Sequence, residues 1–404
     1  MKRVYVLFFL LIMTCVQVSA QPYPVGHRQM TYTDASRSNR SVDSHVYYPG
    51  LTAGDDVGAA SGSFPLIVFG HGFIMGDPDL YSYILQGLAA EGYICLFPTT
   101  ENGSVFPPPD HLEFGKDLAF LNTYVRSENT NSASFLYNKI APKSAIMGHS
   151  MGGKATFLAA GLSNDITTIV TMGAAISNPP IGGSTLDVLG DYATNVTIPC
   201  FVISAELDCV APPAANQLLL YDTVSSDCKY FAQITGGGHC YFASQAGGII
   251  GCESGELTCS SFSIDRSQQN QTVLDLIMPW FGYILRDNNA ARIAFDDTIT
   301  SSSRITYRKN CNLHTGIDDF GGNLATISGN PFSDELKIHF SMHGNQSYRI
   351  VLQDITGRVV FHQNTPVTSE EFIIFTSSLS EGTYIISIEG AHTKSVKKIL
   401  KIAG

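Results

Sequence analysis

Charge is scarce in this chain of 404 residues: only 15% are Asp, Glu, Lys or Arg, against 44% hydrophobic. What charge there is leans acidic, with 24 Lys and Arg against 35 Asp and Glu and a formal net charge of -11 at pH 7. Without a basic block there is no cation cluster to neutralise phosphates, so no nucleic-acid partner is expected. None of the nine cysteines forms a Cys-x-x-Cys pair, which argues against a zinc ribbon or a thioredoxin-type site. Tryptophan occurs once, at Trp280. After the first twenty residues no run is long and apolar enough to cross a hydrocarbon core of ~30 Å. The composition can bury a large core, and the length exceeds the ~100–200 residues of one ordinary domain.

Residues 1–20 read as a secretory signal peptide. Lys2 and Arg3 precede an apolar run from Val4 to Met13, and Val18-Ser19-Ala20 offers small residues for cleavage before Gln21. Cleavage leaves a more acidic, exported chain with eight cysteines, at 95, 200, 209, 228, 240, 252, 259 and 311. An even number in an oxidising compartment suggests disulfides, although eight cysteines allow about 105 connectivities. Cys252 and Cys259 flank the short polar loop Glu-Ser-Gly-Glu-Leu-Thr and are the expected bridge. Cys95, inside the apolar run Tyr93 to Phe97, reads as a buried thiol.

Composition changes near residue 312. Residues 312–329 are rich in Gly, Asn, Asp and Thr and read as a linker. Beyond it, Leu336-Ile338-Phe340, Tyr348-Ile350-Leu352, Phe372-Ile374 and Tyr384-Ile386-Ile388 alternate with period two, the pattern of half-buried strands in a small all-β sandwich. Asn330-Pro331-Phe332, then Asp354 to Val360, then Leu379-Ser380-Glu381-Gly382-Thr383-Tyr384, and a basic tail around Lys397 and Lys401 stand in order. Together they resemble the type A C-terminal sorting domain of type IX secretion. The resemblance covers 330–404 and implies export through that machinery as a partner, to the medium or the cell surface. The bland alternative, a carbohydrate-binding sandwich, lacks a Trp platform there.

Between residues 64 and 290 apolar runs of strand length alternate with amphipathic helical stretches. Strands are expected at Leu66–Phe69, Tyr93–Phe97, Ala145–Met147, Thr167–Met172, Cys200–Ser204 and Tyr230–Ile234. Helices are expected at Leu80–Ala90, Leu112–Val125, Gly152–Ala160, Ala214–Tyr221 and Thr272–Leu285, the last despite Pro279. Such alternation indicates an α/β, doubly wound, mostly parallel sheet, here over 21–311, with Val42–Tyr48 as an antiparallel edge.

Gly148-His149-Ser150-Met151-Gly152 follows the strand Ala145–Met147 and precedes a helix. Gly-x-Ser-x-Gly is weak alone in a chain with 37 glycines. Its strand–turn–helix setting is what a nucleophilic serine needs, because the sharp turn lifts the hydroxyl above the sheet and aims a helix N-terminus at a developing oxyanion. A serine needs a base and the base an acid, in the order Ser, acid, His for this architecture. Asp208, past the strand Cys200–Ser204, is the favoured acid, with Glu206 as fallback and Asp187 and Asp191 in a less defined loop. Gly236-Gly237-Gly238-His239 places His239 past the next strand, as the base. Phe69-Gly70-His71-Gly72-Phe73 fits the loop supplying a second oxyanion amide, from Phe73 beside that of Met151, with His71 structural. This chemistry requires no metal or organic cofactor, and the rate should fall as His239 protonates near pH ~6–7.

These residues resemble the α/β-hydrolase superfamily and, within it, the bacterial cutinase-like polyester (PET) hydrolases. His71-Gly72-Phe73, Gly148 to Gly153, Glu206-Leu207-Asp208 with Ala211-Pro212, and Gly237-Gly238-His239 match in order. The resemblance implies Ser150, Asp208 and His239 as triad, the Met151 and Phe73 amides as oxyanion hole, and the side chains of both as lining of the acyl cleft. Some members join the acid and histidine loops by a disulfide, which implies a Cys209–Cys240 pair here. One departure concerns the stretch after Met172, where polyester hydrolases place a Trp; Gly173 to Pro180 contains no aromatic. Tyr81, Phe106 and Tyr241 are the remaining aromatic candidates for the cleft rim. The expectation is a secreted, monomeric serine ester hydrolase acting on short- to medium-chain esters and polyesters. A lipase, a chlorophyllase-like or acetyl-ester hydrolase and a non-catalytic surface binder are its alternatives.

Overall fold

A computed structural model describes residues 22–103, 108–176, 188–246, 252–311, 325–328, 330–340, 347–354, 358–366, 371–389 and 394–402. The expected leader (1–20), Phe106, Asp187 and residues 312–324 of the expected linker lie outside the described residues. The chain divides into two compact units, Met1–Cys311 and Asn312–Gly404.

The first unit contains strands β1 (Val25–Asp34), β2 (Arg40–Pro49), β3 (Gly54–Asp55), β4 (Phe64–Gly70), β5 (Ile94–Pro98), β6 (Ile140–His149), β7 (Thr168–Met172), β8 (Cys200–Ala205), β9 (Cys228–Ile234) and β10 (Ile305–Cys311). Its helices are α1 (Ser82–Ala90), α2 (His111–Ser127), α3 (Met151–Leu162), α4 (Gln217–Thr223), α5 (Arg266–Arg286) and α6 (Asn289–Ser301). All ten strands lie in one sheet, ordered β10-β9-β8-β7-β6-β4-β5-β2-β1-β3. From β5 through β9 the neighbours pair in parallel. Val42–Tyr48 is antiparallel, as expected, but β2 is not an edge, because β1 pairs along its whole length.

Alternation along the central strands divides the core. Ile67, Phe69, Cys95 and Met147 face α1, α5 and α6, whereas Leu66, Val68, Ile94 and Ile146 face α2, α3 and α4. With both faces covered, these strands are apolar throughout rather than half polar. Asp265 starts α5 with a reciprocal cap to Gln268, and Trp280, fully buried on it, donates from Nε1 to the Thr168 hydroxyl at 3.2 Å. Parallel strands send their carboxyl ends to one edge of the sheet, so the loops after β4, β5, β6, β8 and β9 converge there.

The second unit has β11 (Ala325–Ser328), β12 (Glu335–Phe340), β13 (Ser347–Asp354), β14 (Val359–Pro366), β15 (Glu371–Phe375), β16 (Gly382–Glu389) and β17 (Lys394–Lys401). They form two antiparallel sheets, β11-β12-β15 and β14-β13-β16-β17. Leu336, Ile338, Ile350, Leu352, Ile386 and Ile388 share one buried core. The expected linker ends early, since residues 325–328 pair with β12 as a strand.

Candidate active site

Ser150 sits between β6 and α3 with φ 55° and ψ -116°. A side chain in this sparsely populated region costs about 1–3 kcal/mol and needs surroundings that enforce it. Two elements do so here: the Ser150 amide donates to the Met172 carbonyl at 3.0 Å, and the Ser150 carbonyl accepts the amides of Lys154 and Ala175, each at 3.1 Å. The motif glycines allow the crossing. A Cβ on Gly152 would collide with the Gly70 and His71 carbonyls at the end of β4, and one on Gly148 with the Gly152 carbonyl.

The loops after β8 and β9 bring the other expected residues to this turn. His239 Nε2 lies 2.9 Å from Ser150 Oγ, and His239 Nδ1 lies 2.7 Å from Asp208 Oδ2. The second Asp208 oxygen accepts the amides of Val210 at 3.0 Å and Ala211 at 2.7 Å. All three side chains are buried, Ser150 retaining 8% exposure. Burial works to lower the His239 pKa, but the charge and hydrogen bond of Asp208 and the charge of Glu256 outweigh it, and the imidazole is raised above the ordinary histidine value. The fallback acid is engaged elsewhere: Glu206 accepts the Gly236 amide at 2.8 Å and so closes the histidine loop. Asp191 lies in a helical turn, Val188–Tyr192.

Met151 opens α3 and is buried, whereas half-buried Phe73 lies in the loop after β4. That loop is held from several sides. His71, fully buried, faces the Gly72 carbonyl through Nδ1 at 2.7 Å and the Thr100 carbonyl through Nε2 at 3.0 Å. The Gly72 amide donates to Tyr81 Oη at 3.0 Å, and Gly76 to Asn102 at 2.7 Å.

Sequence reasoning missed much of the support. Tyr81 is no rim residue; it is fully buried, and its hydroxyl lies 2.9 Å from His149 Nδ1. His149 Nε2 lies 3.1 Å from the His239 carbonyl, so the residue before Ser150 links the base to the Phe73 loop. Burial, the charge of His239 and that of Arg266 push the His149 pKa well below the ordinary value; a neutral ring can accept from Tyr81 and donate to His239. Gln217, also buried, donates to the carbonyls of Ala174 (2.8 Å) and Ala211 (3.1 Å), which fastens the acid loop to the segment after β7. Tyr241 packs edge-on to Phe262 and under the Arg266 guanidinium.

The disulfides correct both expected pairings. Cys209 bonds Cys259, Cys240 bonds Cys252, and Cys228 bonds Cys311. Neither Cys209–Cys240 nor Cys252–Cys259 is formed. The segment 252–259 opens with the turn Cys252–Glu256, and its two cysteines, Cys252 and Cys259, bond different partners, one in each loop. The acid and histidine loops are thus tied through a third segment. Cys95 and Cys200 remain free and buried.

Residues 16–253 match the family model described as PET hydrolase-like. The chain belongs to the PET hydrolase-like family. Residues 327–402 match the family model described as secretion system C-terminal sorting domain, which marks this chain for export to the cell surface or the medium. Among curated relatives, a chlorophyllase type 0 of Chenopodium album is 29% identical over 198 residues, covering 44% of this chain and 55% of the relative. Cutinase 1 of Thermobifida cellulosilytica is 22% identical over 225 residues, covering 55% of this chain and 74% of the relative. A cutinase of Thermobifida fusca has the same identity and share of this chain, over 64% of its own length. The chain thus spans about half of the chlorophyllase and 64% to 74% of the cutinases. Among the described residues no helix is long and apolar enough to cross a membrane.

Proposed function

We propose that this chain is an exported serine hydrolase of carboxylic esters that works through an acyl-enzyme. The observation that carries the reading is the hydrogen-bonded chain Ser150–His239–Asp208 at 2.9 and 2.7 Å, with the serine on a strained turn at the carboxyl edge of the sheet. His239 Nε2 takes the Ser150 proton as Oγ bonds the ester carbonyl carbon. The tetrahedral oxyanion is held by the Met151 and Phe73 amides, at the N-terminus of α3. The carbon–oxygen bond to the alcohol breaks, and the alcohol leaves with the proton from His239. Water, deprotonated in turn by His239, then releases the acid. Asp208 sets the imidazole tautomer and stabilises its charge.

Family membership extends the reading to short- and medium-chain esters and polyesters. A second reading, a chlorophyllase-type ester as natural substrate, has the chlorophyllase relative in its favour. With no aromatic between Gly173 and Pro180, small aliphatic esters are the preferred class over aromatic polyester. Purified protein should hydrolyse p-nitrophenyl butyrate, and Ser150→Ala should lower kcat/KM by a factor on the order of 10⁴ or more; unchanged turnover would overturn the assignment. The acid limb of kcat/KM should lie above the ordinary histidine value of ~6.5, because His239 is raised. A panel of p-nitrophenyl esters, triglyceride and amorphous aromatic polyester separates the substrate classes.

A further inference from the structure

Glu256 lies on the segment that the two disulfides tie to the triad loops, three residues before Cys259 and four after Cys252. Its carboxylate accepts the Cys240 amide at 2.8 Å, immediately after His239. Its own carbonyl accepts the Cys259 amide at 2.9 Å, which closes the turn. The Cys240–Cys252 bond fixes this turn to the histidine loop, and Cys209–Cys259 fixes it to the residue beside Asp208. A carboxylate that is half-buried, covalently stapled on both sides and aimed at the peptide of the base does more than satisfy one amide, since its charge acts on the imidazole through a poorly screened interior.

We infer that Glu256 is a positioning residue for the proposed triad: it fixes the His239–Cys240 peptide and, as a second carboxylate behind Asp208, strengthens His239 as a base. The inference rests on the ester hydrolase reading for its rate consequences, though not for its effect on the imidazole. Other ionisable groups around the base are already committed. Asp208 and Ser150 hold its two nitrogens. The His149 ring, packed 4.8 Å from that of His239, is engaged with Tyr81 and the His239 carbonyl. Arg266 donates to the Cys240 and Ala243 carbonyls and pairs with Glu253 at 2.7 Å, and Glu206 is taken by Gly236. Glu256 is the further acid whose charge reaches His239. Burial and the charge of Asp208 push the Glu256 pKa up, while the Cys240 amide and His239 oppose the rise. Protonation of Glu256 in acid removes this support.

The test is Glu256→Gln, which keeps a carbonyl oxygen for the Cys240 amide and removes only the charge. The His239 imidazole is titrated by NMR in Ser150→Ala and in Ser150→Ala/Glu256→Gln, and kcat/KM is followed against pH in wild type and Glu256→Gln. Loss of a negative charge disfavours the imidazolium, so the His239 titration and the acid limb should both move to lower pH. On the plateau above the acid limb, where His239 is neutral in both proteins, kcat/KM should fall by about three- to tenfold as the base weakens. A second variant, Cys252→Ser/Cys259→Ser, releases the turn and should shift the titration in the same direction, with Glu256→Gln adding little on top. An unmoved His239 titration in Glu256→Gln overturns the inference, as do full, additive shifts in the combined variant. A titration that moves in a protein without esterase activity would sink the proposed function and leave the role of Glu256 standing.

Discussion

Lys154 follows Ser150 by one helical turn, with its ammonium buried and no hydrogen-bond partner among the described residues. Burial lowers its pKa. Nearby His111 is equally enclosed; burial first, and then the charge of Lys154, push it down to about 4. A charge kept from water without a partner destabilises the fold, and the sign of its pH dependence follows. The folded-state pKa of Lys154 lies below the unfolded value, so between the two the unfolded chain binds more protons and stability rises with pH. The cost is complete below the folded pKa and is relieved as pH climbs through the unfolded one. Lys154→Met should therefore raise stability at pH 7 by about 1–2 kcal/mol, and its advantage should shrink toward pH 10. Urea denaturation at both pH values checks this, and an advantage that does not change with pH would contradict it. At this same scale, Ser150, Asp208 and His239 could be picked out from their places after three strands. Chain order alone left Asp208 and Glu206 competing, because both follow β8. Only the fold shows that one carboxylate faces the imidazole and the other a glycine amide.

At the scale of elements, the central strands were legible because burial on both faces makes them continuously apolar, and the helices between them because their stripes repeat. The elements that escaped have almost no apolar signal. In β10 only Ile305 is buried, while Thr306 to Asn310 are exposed, and α6 buries only Phe295 and Ile299. Such segments are defined by what they pair with: β10 by its antiparallel register with β9 from Ile305–Ile234 to Cys311–Cys228. Disulfide pairing escaped for a related reason, since spacing shows which cysteines are near in sequence and not which loops a third segment will touch. The Cys228–Cys311 bond closes an 83-residue separation and secures this polar edge strand. A Cys228→Ser/Cys311→Ser variant should lose about 2–4 kcal/mol, read from the denaturant midpoint. A loss under ~0.5 kcal/mol would mean that strand pairing alone holds the edge.

For the whole molecule, each unit closes its own core, the first around the ten-stranded sheet and the second between two antiparallel sheets. Domains with separate cores keep their local chemistry when parted. A chain ending at Cys311 should therefore hydrolyse p-nitrophenyl butyrate within about twofold of the full protein, and a tenfold loss would show that the second unit serves the site. The shared boundary has a mechanical consequence. Cys311 is both the last residue of the first unit and the partner of Cys228. A pull on the C-terminus, such as an export apparatus gripping its sorting domain would exert, travels along the backbone only as far as Cys311. There the load divides into a sulfur–sulfur bond and passes to β9 inside the sheet. Strand β10 cannot be peeled away from its end, one hydrogen bond at a time, and the catalytic body is towed as a unit.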